Sequence, residues 1–95
     1  MRSYEVAVII RTDIGEESLS QQIETIQGWI ESGGGTVTHI DHWGYRRLAY
    51  MIEKQRDGYY AFYKAEMEPE APVEIERNLR LSENVLRYLI IREDE

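Results

Sequence analysis

An α+β fold of order βαββαβ, a four-stranded antiparallel sheet with two helices on one face, is what three features of this sequence predict. Apolar residues alternate with period two over residues 4–10, 59–67 and 85–91. They recur at helical spacing from Leu19 and again from Val73. Turn and cap formers stand between these runs: Gly33-Gly34-Gly35, Asp57-Gly58, and the prolines Pro69 and Pro72.

Each element has its own justification. Tyr4, Val6, Val8 and Ile10 alternate with Glu5, Ala7 and Ile9, which is a strand whose second register is also largely apolar. Thr12 or Asp13 is placed to cap the helix that follows. Leu19, Ile23, Ile26 and Ile30 then form one helical face. The glycine triplet ends this helix, because glycine tolerates the left-handed backbone of a C-terminal cap. It follows a helix instead of opening one, so it is not a phosphate-binding loop.

Thr36 to Glu53 reads as a long strand with a bulge or kink at Gly44. Gln55-Arg56-Asp57-Gly58 reads as the hairpin turn, and Tyr59 to Met67 as the partner strand. Pro69 and Pro72 flank the entry to a second helix with a stripe of Val73, Ile75 and Leu79. Val85 to Ile91 is the last strand. Right-handed crossovers put both helices on one face, which is the split-βαβ, ferredoxin-like arrangement with strand order 4-1-3-2. Residues 1–92 are expected to form the single domain and 93–95 a polar tail. The helix-facing register is Val6, Val8, Ile10, Tyr63, Ala65, Met67, Tyr88 and Ile90.

Composition narrows the function. The chain has 95 residues, 42% hydrophobic and 31% charged, as in an ordinary globular domain. It has no cysteine, which excludes disulfides, thiolate zinc sites and cysteine nucleophiles. No apolar run approaches the roughly 20 residues of a membrane helix, and the opening Met1 to Glu5 leads straight into a strand, so neither membrane nor signal segment is expected. A net charge of −7 opposes bulk attraction to nucleic acid. Yet residues 36–65 carry five basic and three acidic groups, the only net-positive stretch.

Two surfaces stand out. Ala7, Ile9, Tyr60, Phe62, Leu89 and Ile91 fall in the register that faces away from the helices, where a solvated sheet would be polar, so this face is expected to meet a partner. The stretch Gly44-Tyr45-Arg46-Arg47-Leu48-Ala49-Tyr50-Met51-Ile52, with Lys54 and Arg56, offers guanidinium forks for phosphates and rings for bases. Regular alternation puts Arg46, Leu48, Tyr50 and Ile52 on one side, and Arg47, Ala49 and Met51 on the other. Basic residues on an edge strand also serve to block strand-to-strand pairing.

Other patterns carry less. Gly58-Tyr59-Tyr60-Ala61-Phe62 is similar to the base-stacking strand of RNA recognition motifs, but Tyr60 and Ala61 stand where that pattern wants a small residue and an aromatic. His39 and Asp41 share a strand face that His42 does not, and no further ligand is in view, so no metal site is expected. Glu66, Glu68 and Glu70 read as a solvated strand end. Ser18 and Ser20 lack a suggested histidine and acid, and no nucleophile elbow, P-loop or dinucleotide fingerprint occurs. Neither catalysis nor a cofactor is expected.

Met1-Arg2-Ser3-Tyr4-Glu5, the Gly44 to Tyr50 motif with Ile52 and Lys54, Gly58-Tyr59 through Glu66-Met67, and Asn84-Val85 together resemble the family of the sixth protein of the bacterial small ribosomal subunit. The resemblance runs through essentially the whole chain. It implies a ferredoxin-like fold, a non-enzymatic role, and a place on the ribosome in the cytoplasm. It also implies a heterodimer with the eighteenth small-subunit protein that binds the central domain of the small-subunit ribosomal RNA. Carried over by position, it puts Arg46, Arg47 and Tyr50 near RNA or partner, Lys54 and Arg56 on hairpin phosphates, and Arg2 at the family's basic second residue. Ile9, Tyr60, Phe62, Leu89 and Ile91 are the expected protein-partner surface. Met51 stands where the family usually has proline, which restores an edge-strand N–H. The alternative is a ferredoxin-like ligand-sensing or dimerisation module, for which Gly15 stands alone in the loop that would hold a ligand. A phosphate-chemistry enzyme has only Arg11 as its hook.

Overall fold

Tyr4, Val6, Val8 and Ile10 are buried and the residues between them half-exposed, which makes Arg2–Ile10 the first strand, β1. Helix α1 (Glu16–Ser32) follows, then β2 (Thr36–Ile52), β3 (Gln55–Met67), α2 (Ala71–Leu81) and β4 (Val85–Arg92). The computed structural model describes residues 1–93, so Asp94 and Glu95 of the expected polar tail lie outside the described residues. The strands form one sheet in the order β2-β3-β1-β4, with antiparallel pairing throughout and β2 and β4 at the edges. This is the ferredoxin-like order expected from the crossover rule.

One apolar core joins the helices to the sheet. Leu19, Ile26 and Ile30 of α1 and Ile75 and Leu79 of α2 pack with Val6, Val8, Ile10, Tyr63, Ala65 and Met67, while Tyr88 and Ile90 close its margin. Fully burying each large side chain contributes roughly 1.5–3 kcal/mol, so this layer dominates stability. The Tyr63 hydroxyl, the one polar atom such a ring brings, donates to the Ile23 carbonyl at 2.8 Å. At the end of α1, Gly34 takes φ +91° and its N–H reaches the Glu31 carbonyl at 3.0 Å.

Four local expectations are corrected. Neither Thr12 nor Asp13 caps α1; Gly15 holds the cap position without a side-chain bond. Asp13 is engaged elsewhere, accepting from Arg11 at 2.7 and 3.0 Å and from Gln55 at 3.2 Å, and the Arg11 guanidinium holds its carboxyl below the usual range. Thr12 instead donates to Asp57 at 2.8 Å. Glu16 and Glu17 supply negative charge at the helix start in place of a cap.

The hairpin turn is Glu53-Lys54, with φ 49° and 67°, between the paired Ile52 and Gln55. Two left-handed residues match the twist of the strands they join, and that geometry prevails over the Asp57-Gly58 signal. Gly58 has another use: a Cβ there would collide with Cγ2 of Ile9 and touch Leu48 at 3.8 Å. Val73 is 73% exposed, because it lies about 200° around the helix from Ile75. Finally, the alternation expected over residues 46–52 is broken. The register shifts between Arg47 and Ile52, Leu48 is buried, and Tyr50 and Met51 project outward.

Candidate functional site

Antiparallel pairing sets the bare side of the sheet in rows. Phe62, Ala7 and Leu89 stand side by side on β3, β1 and β4, and Tyr60, Ile9 and Arg87 form the next row. Between them lies a shallow apolar hollow of about 150 Å³. The third row is mixed: Ile91 sits beside Glu5, and Glu5 meets Lys64 at 3.5 Å. Glu93 accepts from Lys64 at 3.0 Å, and this bond holds the ammonium above its ordinary pKa. The expected partner residues Ile9, Tyr60, Phe62, Leu89 and Ile91 therefore share one face, bounded at this end by charge.

The bulge at Gly44 completes that face. Gly44 takes φ +84° and the register slips between His42 and Gly44, so the alternation of β2 inverts beyond it. Trp43 and Arg46, three residues apart, then share a side. The Trp43 ring lies 4.6 Å from Phe62 and 6.4 Å from Tyr60, and the Arg46 guanidinium sits 5.4 Å from the Trp43 centroid. Arg46 also donates to the Trp43 carbonyl at 3.4 Å. Trp43 remains 50% exposed. It extends the aromatic surface, and sequence reasoning missed it, because Trp43 sits at the register slip itself.

On the other side of β2, Tyr45 meets Tyr59 edge to face at 5.4 Å, and His42 Nδ1 lies 2.9 Å from the Tyr59 hydroxyl. Burial raises the Tyr59 hydroxyl's pKa. Arg46, Arg47 and Arg56 converge with Tyr45 and Asp57 on one hollow, and Arg47 and Arg56 also line a second with Tyr50 and Met51. Among the described residues, Arg47, Lys54 and Arg56 form no ion pair. Five of the six residues expected at RNA thus gather at the β2–β3 hairpin. Arg2 does not: it pairs with Met67, nine residues along β3 from Gly58, about 30 Å away at the strand rise.

A ferredoxin-like sheet with helices on one side, an aromatic bare side and an arginine-bearing hairpin at one edge defines a protein that works through surface contact. The residue pattern of the Ribosomal protein S6 family matches residues 3–92. A small ribosomal subunit protein bS6 from Carboxydothermus hydrogenoformans is 43% identical over 95 residues, covering 100% of this chain and 99% of that one. A bS6 protein from Clostridium beijerinckii is 41% identical over 93 residues, covering 98% of both. The crystal structure of 30S ribosomal protein S6 from Thermotoga maritima superposes with a TM-score of 0.93 at 26% identity, covering 97% of this chain and 87% of that one. The chain belongs to the ribosomal protein S6 family: a structural, non-enzymatic component of the small ribosomal subunit, found with the ribosome in the cytoplasm.

Proposed function

We propose that the chain holds two different macromolecules at once: the eighteenth small-subunit protein on the bare sheet face, and the central domain of the small-subunit ribosomal RNA along the β2–β3 hairpin. Residues 1–92 act as the binding domain in this reading. Ile9, Tyr60, Phe62, Leu89 and Ile91, joined by Trp43, take the protein. Arg46, Arg47, Lys54 and Arg56 take phosphates, with Tyr50 beside them, and Arg2 contacts a separate stretch of RNA from the far end of the sheet. The observation that carries the reading is the division of the surface. Aromatic rings collect on one side of Gly44, and guanidinium groups that form no ion pair among the described residues collect past it. Phosphate contacts position an RNA but do not read its sequence. A chain of net charge −7 therefore depends on its protein partner for most of its affinity.

Mixing the chain with the purified eighteenth protein tests the protein half. A heterodimer is expected by size-exclusion chromatography. Phe62→Glu should weaken it at least about 30-fold, as for an interface hot spot, while changing unfolding stability by under about 1 kcal/mol. A heterodimer that forms equally well with Phe62→Glu puts the partner elsewhere. A homodimer that Phe62→Glu dissociates favours a dimerisation module.

A further inference from the structure

We propose that the hollow lined by Tyr45, Arg47 and Arg56 is a pocket for one unstacked RNA nucleotide, with the base on the Tyr45 ring and its phosphate on the two guanidinium groups. The inference rests on the RNA-binding reading above and deepens it, since that reading needs only backbone contacts. Tyr45 is 57% exposed on the edge strand β2, on the side that carries His42. It is nonetheless fixed: Tyr59 packs against the core and meets Tyr45 edge to face at 5.4 Å, and the Tyr59 hydroxyl lies 2.9 Å from His42. An edge-to-face neighbour leaves the Tyr45 ring plane to offer a face to a stacking partner.

The electrostatics select the same ligand. Three guanidinium groups, those of Arg46, Arg47 and Arg56, border the hollow against one carboxylate, Asp57. Asp57 already accepts from Thr12 at 2.8 Å, and Arg46 already lies over Trp43. Arg47 and Arg56 are left without an ion pair among the described residues. The open volume is about 280 Å³. A planar aromatic platform beside two planar forks matches a base and its own phosphate, the pairing by which proteins take single-stranded nucleotides. A double-stranded segment, whose bases are stacked inside, would use the forks and leave the ring idle.

The test measures binding of the full chain, preassembled with its protein partner, to the central-domain ribosomal RNA across a salt series. Tyr45→Ala should weaken binding about tenfold without altering the salt slope, and Tyr45→Phe, which keeps the ring, should bind as the unaltered chain does. Arg47→Gln should lower the salt slope by about one. Melting curves of the three variants should coincide with the unaltered protein. Unchanged binding by Tyr45→Ala, or equal losses for Tyr45→Ala and Tyr45→Phe, overturns the pocket while leaving the RNA reading intact. An unaltered pair that binds no RNA overturns both.

Discussion

Tyr63 shows how a single side chain supports both core and fold. Its ring is fully buried, and its hydroxyl is held by the α1 carbonyl of Ile23. Burial raises its pKa well above the ordinary value of 10.0. The raised pKa favours the neutral form in the folded state, so its contribution is complete below about pH 10 and is lost as pH climbs from there towards the folded-state pKa. Unfolding stability is expected to fall steeply above about pH 10. Tyr63→Phe should cost about 1 kcal/mol at neutral pH and blunt the alkaline decline. Urea melts at pH 8 and pH 11 check both. At this scale the sequence was informative wherever alternation stayed regular: Tyr60, Phe62, Leu89 and Ile91 stand on the face expected of them. Trp43 and Tyr45 were not legible, because each owes its neighbours to the register slip at Gly44 and to rings on another strand.

At the scale of elements, the β2–β3 hairpin carries the most strain. Glu53 and Lys54 both adopt positive φ, which costs non-glycine residues roughly 1–2 kcal/mol each. Replacing the pair with Asn-Gly should stabilise the protein by about 1 kcal/mol in denaturant melts. Because Lys54 is lost, the same variant should lower the salt slope of RNA binding by about one. Strain is thus kept where a cation is presented. Gly58 gives the opposite case: Gly58→Ala should destabilise by about 1–3 kcal/mol, because the added Cβ meets Ile9 of the neighbouring strand. Asp-Gly was a sound turn signal on local grounds. Its glycine answers instead to cross-strand packing, which no local pattern reveals. Leu48, buried where the pairing of β2 with β3 shifts after Arg47, lies 3.8 Å from where a Cβ on Gly58 would stand.

The whole molecule was the most legible scale. Two helical stripes and four strand patterns, with the handedness of the crossovers, lead to the order β2-β3-β1-β4 and to one bare face. What the pattern could not place was where along that sheet each charge would fall. The structure gathers Arg46, Arg47 and Arg56 at the hairpin and ties Lys64 to Glu5 and Glu93 on the bare face, a long way down β3. The one exposed cationic cluster of the net-positive stretch therefore lies at an edge, beside the aromatic surface and not within it. Under the proposed function, the protein partner and the RNA then occupy separate surfaces and do not compete. The most direct measurement compares RNA affinity for the chain alone, its protein partner alone, and the two preassembled, at one fixed salt concentration. The preassembled pair is expected to bind at least about tenfold more tightly than either protein alone. A pair that binds no better than its stronger member would contradict the account.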